Sequence, residues 1–191
     1  MSLLHARNIV VDLWIAIGIV WLLGSLFTKR SARAQSWGSR IFHRALGVLA
    51  FLVGFTPYFQ FPQLTHRFVP SSPAVTSTGL ALTLLGISLA IWARFFLGGN
   101  WSGTVTVKTD HTLVRRGPYA LVRHPIYSGF LLALIGTAVV YNEIRCLLAG
   151  ALVLVMLLLK IRVEEKFMTE EFGSEYKVYS QQVKALVPFI W

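Results

Sequence analysis

The sequence predicts an all-α integral membrane protein with five transmembrane helices, its N-terminus outside and its C-terminus in the cytosol. Three observations predict it. Of the 191 residues 55% are hydrophobic and only 14% charged, with a mean hydropathy of +0.62, whereas soluble domains carry about a quarter charged residues. The apolar residues gather into five stretches, Ile9 to Phe27, Ala45 to Phe61, Val75 to Trp92, Ile126 to Tyr141 and Ile144 to Leu159. The basic residues alternate with those stretches: all but Arg7, Arg67 and Arg145 of the 18 Lys+Arg fall on one side when five spans are drawn. The net charge of +10 therefore reads as attraction to a membrane surface rather than to nucleic acid.

A helix crossing the hydrocarbon core needs about 20 residues, with roughly 17 as the lower end. The first three stretches fit that length. The last two are short and parted only by Asn142 and Glu143, which predicts a tight helical hairpin. Ala32-Arg33-Ala34 imitates a cleavage site, but Lys29 and Arg30 intervene after an apolar run too long for a signal peptide. The sequon Asn100-Trp101-Ser102 falls on the cytosolic side, where it is silent. The single cysteine, Cys146, excludes a disulfide framework or an all-cysteine metal site and reads as a small buried hydrophobe. No metal site is predicted.

The organisation follows: residues 1–94 form a scaffold of three spans, and 95–191 hold the chemistry. Polar residues crowd the cytosolic face in two blocks, Phe96 to Pro125 and Lys160 to Trp191. Alternating Thr104, Val105, Thr106 and Val107 suggest an extended piece, and Gly117-Pro118 a turn. Pro125 suits the first position of a helix, where its missing N–H costs nothing. Gly173 suits the stop of the last long helix. Counting back from the Asn142 turn, His124 lies about 18 residues away, and Glu164 about 22 forward. At about 1.5 Å per residue the two ends differ by roughly one turn. Arg123, His124 and Tyr127 should thus meet Glu164 and Glu165 in a polar pocket at the cytosolic interface. An acidic pair at the carbonyl end of a helix opposes the macrodipole, and a positively charged ligand would explain it. Singly, each residue has a plainer role: Arg123 as a snorkelling cation, His124 as a cap, Tyr119 and Tyr127 as belt aromatics, the glutamates as partners of Lys160 or Lys166.

The string Gly117-Pro118-Tyr119 followed by Arg123-His124-Pro125-x-Tyr127-x-Gly129 resembles the signature of isoprenylcysteine carboxyl methyltransferases, much of it shared by membrane phospholipid methyltransferases. Trp101-Ser102, His111-Thr112-Leu113-Val114, Glu164-Glu165, Phe172-Gly173-x-x-Tyr176-x-x-Tyr179 and Leu186-Val187-Pro188 extend the likeness over about half the chain. The resemblance implies a multi-pass methyltransferase of the bacterial inner membrane or the endoplasmic reticulum, using S-adenosylmethionine at a site that faces the cytosol. It implies cofactor contacts from His111, Thr112, Leu113 and Val114, from Tyr119, from His124, Pro125, Ile126 and Tyr127, and from Glu164 with its neighbour Glu165. It also implies a basic residue just before the acidic pair that grips the acceptor carboxylate. Lys160 and Arg162 both qualify, and the bidentate guanidinium favours Arg162; were the acceptor an amine, His124 or a glutamate would have to take its proton.

The residues agree with that expectation. Carboxylates can pair with the amine of the donor, aromatic faces with its sulfonium, and the start of the fourth helix with its carboxylate. A lipophilic, isoprenylcysteine-like acceptor would enter from the bilayer through a cleft between the third, fourth and fifth helices, lined by Trp92, Phe95, Phe96 and Trp101. Methylation of a phospholipid amine, or a non-enzymatic lipid- or haem-binding subunit, are the competing readings.

Overall fold

The computed structural model describes residues 2–28, 31–34, 36–56, 61–101, 106–108 and 112–190. Five long helices carry the apolar stretches or most of them: α1 (Leu3–Ser25), α2 (Trp37–Phe55), α4 (Pro73–Leu97), α5 (Pro125–Tyr141) and α6 (Ile144–Phe172), with residues 57–60 of the second stretch outside the described residues. A single turn, α3 (Pro62–Thr65), precedes α4, and α7 (Ser174–Gln182) follows α6. The fold is not purely helical. Strand β1 (Ser31–Ala34) pairs antiparallel with β2 (Thr106–Lys108), so the alternating Thr-Val piece finds a partner in the loop after α1. Thr104 and Val105 lie outside the described residues.

Local chemistry sets the ends. Ser2, Ser36 and Ser72 cap α1, α2 and α4, each accepting a backbone N–H three residues on. Pro73 and Pro125 occupy the first turns of α4 and α5. Asn142, in the left-handed conformation (φ 54, ψ 44), closes α5 and turns the chain into α6. Gly173 (φ 53) ends α6 where the sequence predicts.

Among the described residues three helices are long and apolar enough to cross a membrane: α1, α4 with its extension to Asn100, and α6; α5, with 17 residues, is apolar but shorter. The second predicted span, α2, carries Arg40, His43 and Arg44 in its first half and is not among them. The α6 helix has 29 residues, about 43 Å against a hydrocarbon core of about 30 Å. Its last turns therefore project clear of the apolar layer, carrying Glu164 and Glu165.

Helices α4 and α5 form the centre, and they approach so closely because the facing residues are small. Gly79, Thr83, Gly86 and Ala90 of α4 meet Gly129, Ala133 and Gly136 of α5, spacing that lets two backbones touch within a membrane. A Cβ on Gly136 would collide with the backbone of Thr83 and Gly79, and one on Gly86 with that of Ala133. Gly136→Val should therefore lower stability by about 1–3 kcal/mol through overpacking. Gly18→Val, where an added Cβ meets nothing, should leave the unfolding midpoint in detergent unchanged.

Helix α1 lies across α4 and α5, α6 packs on α5, and α2 packs on α6. Arginines tie the ends. At one end, buried Arg94 donates to Gly24 O of α1 and Gly98 O of its own helix, and its guanidinium covers the Trp101 ring at 4.3 Å. At the other, Glu143 accepts from Arg7 (2.9 Å) and Arg145 (2.6 Å), and Arg145 also donates to Thr56 O at the end of α2. There Asn142 clamps the loop before α4, accepting from Phe68 and Val69 N–H and donating to Val69 O. Helix α4 runs unbroken from Pro73 to Leu97, across residue 94, and α1 is tied to its end through Gly24 O.

Candidate active site

At the end of the bundle where β1 and β2 pair, two segments converge on the exit of α6. The first runs from α4 through a short 3₁₀ turn, Gly117–Ala120, into α5. Gly117 there has φ +60 and lies under the Phe96 ring, so Phe96 closes over the turn. The second is the tail after α7, which pairs with the first: Val122 bridges Lys184 in parallel, and Arg123 and His124 N–H donate to Lys184 O and Ala185 O. Ser128 Oγ adds a bond to Leu186 O (2.6 Å). The entrance to α5 is therefore tied to the tail by backbone bonds, with one side-chain bond from Ser128 added.

The hairpin arithmetic holds. Tyr127 donates its hydroxyl to Glu164 Oε1. His124 lies between the two acids, Nδ1 3.3 Å from Glu164 and Nε2 3.3 Å from Glu165, and its ring stacks on Tyr127 at 5.6 Å. Arg123 donates from Nε and Nη2 to Glu165 Oε1 and from Nη1 to Ser180 O and Val183 O. The acidic pair thus finds its counter-charges within the chain, Arg123 and His124, rather than needing a ligand to explain it. Arg123 is not a snorkelling cation: it staples α6 to the tail.

Burial pulls the His124 pKa down, but hydrogen bonds and charge from Glu164 and Glu165 outweigh it, so the imidazolium persists above its ordinary range. Burial, with Glu164 and Tyr179 adding to it, raises Tyr119 far above a free phenol. Tyr179, which donates to Tyr119 O at 2.6 Å, is pushed up to about 12, chiefly by burial. Both phenols are neutral donors at physiological pH. Because the folded-state pKa of His124 is raised, its stabilising contribution is complete below about pH 6.5, the unfolded value, and is lost as pH rises through the raised value. Thermal unfolding midpoints measured from pH 6 to 9 should fall, and His124→Gln should flatten that slope.

These side chains border a cavity of about 520 Å³, within the range of cofactor and ligand sites. Its polar end is lined by Asn100, Thr112, Tyr119, His124, Tyr127, Lys160 and Glu164, and its apolar end by Trp14, Trp21, Phe130, Leu134, Val153 and Met156. Leu113, Val114 and Ile126 also line it, as the motif implies. Pro125 is buried in the first turn of α5 rather than at the cavity wall, and Glu165 faces Arg123 and a separate groove. His111 lies outside the described residues.

The two basic candidates separate cleanly. Lys160 lines the cavity, one turn before Glu164, with Nζ 5.3 Å from the Tyr127 ring centroid. Arg162, favoured on guanidinium geometry, is two residues on, about 200° around the helix; it is exposed and lines the other groove. Helix phase, not side-chain chemistry, sets which of the two lines the cavity. The aromatic wall also differs from expectation: Trp101 contributes, but Trp92 and Phe95 are exposed on the outer face of α4 and Phe96 covers Gly117. In their place α1 supplies Trp14, which stacks on Phe130 and donates to Thr137 Oγ1, and Trp21, edge-on to Phe130 and Trp101. Those two tryptophans fall seven residues apart in the first span, two helical turns on one face, a signal open to a reader of the sequence.

Three apolar helices of membrane-crossing length, with the shorter α5 beside them, surround one cavity lined by polar side chains towards one end and apolar ones towards the other, and such a chain is a multi-pass integral membrane protein. The family model for isoprenylcysteine carboxyl methyltransferases matches residues 79–170. A probable protein-S-isoprenylcysteine O-methyltransferase of Oryza sativa subsp. japonica is 33% identical over 144 residues, 74% of this chain and 73% of that protein. Protein-S-isoprenylcysteine O-methyltransferase B of Arabidopsis thaliana is 32% identical over 119 residues, 61% of this chain and 60% of that one. The solved structure of the eukaryotic intramembrane Ras methyltransferase ICMT superposes with a TM-score of 0.53 at 28% identity, covering 82% of this chain and 54% of that chain. The chain belongs to the isoprenylcysteine carboxyl methyltransferase family. It spans about 60% of the Arabidopsis relative and just over half of the solved homologue.

Proposed function

We propose that the chain is a membrane methyltransferase that takes S-adenosylmethionine at the polar end of the cavity and O-methylates the carboxylate of an isoprenylcysteine-like lipid at the apolar end, with the polar mouth facing the cytosol. The observation that carries this reading is the continuity of the two ends in one cavity, with Lys160 and Glu164 one turn apart at the junction. The donor set fits the cofactor. A carboxylate has about four lone-pair sites, and Tyr127 and His124 use two on Glu164, which leaves capacity for an ammonium. The Tyr119 ring at the cavity wall can face a sulfonium. Bound there, the cofactor supplies an activated methyl group for in-line displacement.

The residues of this chain then have positioning work. Lys160 orients the acceptor carboxylate towards the donor and offsets its charge against Glu164. A carboxylate is already ionised at neutral pH, so no general base is required of the chain: Lys160 would hold its oxygen towards the methyl group that the cofactor would supply. Holding both partners aligned can supply about 7–11 kcal/mol of the barrier in favourable cases. Trp14, Trp21 and Phe130 hold the lipid and exclude water from the junction.

The test is incubation of the purified protein in nanodiscs with labelled S-adenosylmethionine and N-acetyl-S-farnesylcysteine. A base-labile methyl ester is expected. A base-stable N-methyl product on phospholipid, with no ester, would overturn the carboxylate reading and favour the amine one.

A further inference from the structure

A second groove lies on the outer face of the α5–α6 hairpin, across α6 from the cavity. Leu157, Lys160 and Glu164 face the cavity, whereas Leu154, Leu158 and Arg162, four residues apart in turn, face outward. The groove has two parts that share Leu158. The membrane-level part, about 670 Å³, is lined almost wholly by apolar side chains of the two helices, with Gly150 in its floor and Leu186 and Val187 of the tail at its upper edge. The upper part, about 390 Å³, mixes polar and apolar side chains: Arg162 from α6 with Lys184 and Ser180 line it together with Ile161, Ala185 and Ile190. Glu165 also lines this part, but its charge is answered by Arg123 and His124. Neither Arg162 nor Lys184 makes an ion pair among the described residues, and both are exposed.

An apolar slot ending in two uncommitted cations has the shape and charge order of an anionic lipid. We propose that this groove holds an anionic glycerophospholipid, its phosphate between Arg162 and Lys184 and an acyl chain along the α5–α6 slot. Several features favour that occupant. The slot runs along the lipid-facing side, where Ile135, Leu147 and Leu154 are exposed. Val187, Phe189 and Ile190 of the tail are exposed and apolar, so the segment that carries Lys184 seats in the interface. Each basic residue near an anionic leaflet is worth about 1 kcal/mol, and a choline or ethanolamine head cancels that gain. The bound lipid would also brace the tail, whose other face is stapled to Arg123, His124 and Ser128.

Native mass spectrometry of the full chain, incubated with equimolar phosphatidylglycerol and phosphatidylcholine, tests the proposal. One phosphatidylglycerol should be retained, with about tenfold preference or more. Arg162→Glu/Lys184→Glu should abolish that preference, and Lys166→Glu/Lys177→Glu, the same charge change at other exposed lysines, should not. Gly150→Phe should expel the lipid altogether, since a Cβ at Gly150 meets nothing within 4 Å and the ring has only the slot to occupy. Unchanged unfolding midpoints establish that these variants fold. Equal retention of the two lipids by the unmodified protein, equal losses in both double variants, or displacement of the lipid by N-acetyl-S-farnesylcysteine would overturn it. Methyl transfer to the farnesylcysteine is read separately, so failure here is distinguishable from failure of the proposed activity.

Discussion

Glu164→Gln should reduce affinity for S-adenosylmethionine about 10- to 150-fold, the value of a hydrogen bond to a charged group, in calorimetric titration of the detergent-purified protein. Glutamine keeps the length of the side chain, and its amide oxygen can still accept from the Tyr127 hydroxyl while its amide NH2 faces Nδ1 of a neutral His124, so the variant should insert and fold. What it loses is the negative charge for the cofactor's ammonium. S-adenosylhomocysteine retains that ammonium but lacks the sulfonium. The loss should therefore be the same for both ligands if Glu164 acts on the amine, and larger for S-adenosylmethionine if it faces the sulfonium. Glu164→Ala should be worse, because it also strands His124, whose imidazolium is held up by the two acids, and leaves the Tyr127 hydroxyl without its acceptor. Unchanged affinity for both ligands in the glutamine variant would remove Glu164 from the site.

How much of this could be read in advance depends on which interactions are local. The helices follow from apolar run length, and their ends from single residues: Pro125, Asn142 and Gly173 act through their own backbone preferences and sit where such residues must. The meeting of His124 and Tyr127 with Glu164 and Glu165 follows from residue counts along two antiparallel rods, because rise per residue is nearly constant. Other features depend on rotation about a helix axis or on partners distant in sequence. Arg162 and Lys160 differ by two residues, and only packing of α6 against α5 decides which faces inward. Arg94 and Arg145 count as loop-end cations in the sequence, yet both are buried and bound to carbonyls of other helices. The spacing of Trp14 and Trp21 puts them on one face of α1, but only the packing of α1 across α4 and α5 shows that this face turns to the cavity. The tail's pairing with Val122 joins residues about sixty positions apart, with no periodic signal to announce it.

The second large effect should come from Lys160. Its ammonium is at the junction between the polar and aromatic parts of the cavity, above the Tyr127 ring and one turn from Glu164. A carboxylate brought there from the apolar side meets a cation in a partly desolvated setting, where a charge-assisted contact is worth about 1.5–3 kcal/mol. Lys160→Met keeps the stem and removes the charge, so kcat/KM for N-acetyl-S-farnesylcysteine should fall about 10- to 150-fold. Cofactor affinity should hold or rise, because a positive neighbour of the ammonium has been removed. Lys160→Arg should recover part of the loss, since the guanidinium keeps the charge but differs in reach and donor geometry. Arg162→Ala, on the far side of α6, should change the same ratio much less. The reverse order, with Arg162→Ala crippling carboxylate transfer and Lys160→Met neutral, would require α6 to be rotated by about half a turn. That rotation would also carry Glu164 away from Tyr127 and His124, so one pair of kinetic measurements tests both the assignment of Lys160 and the helix packing on which the site is built.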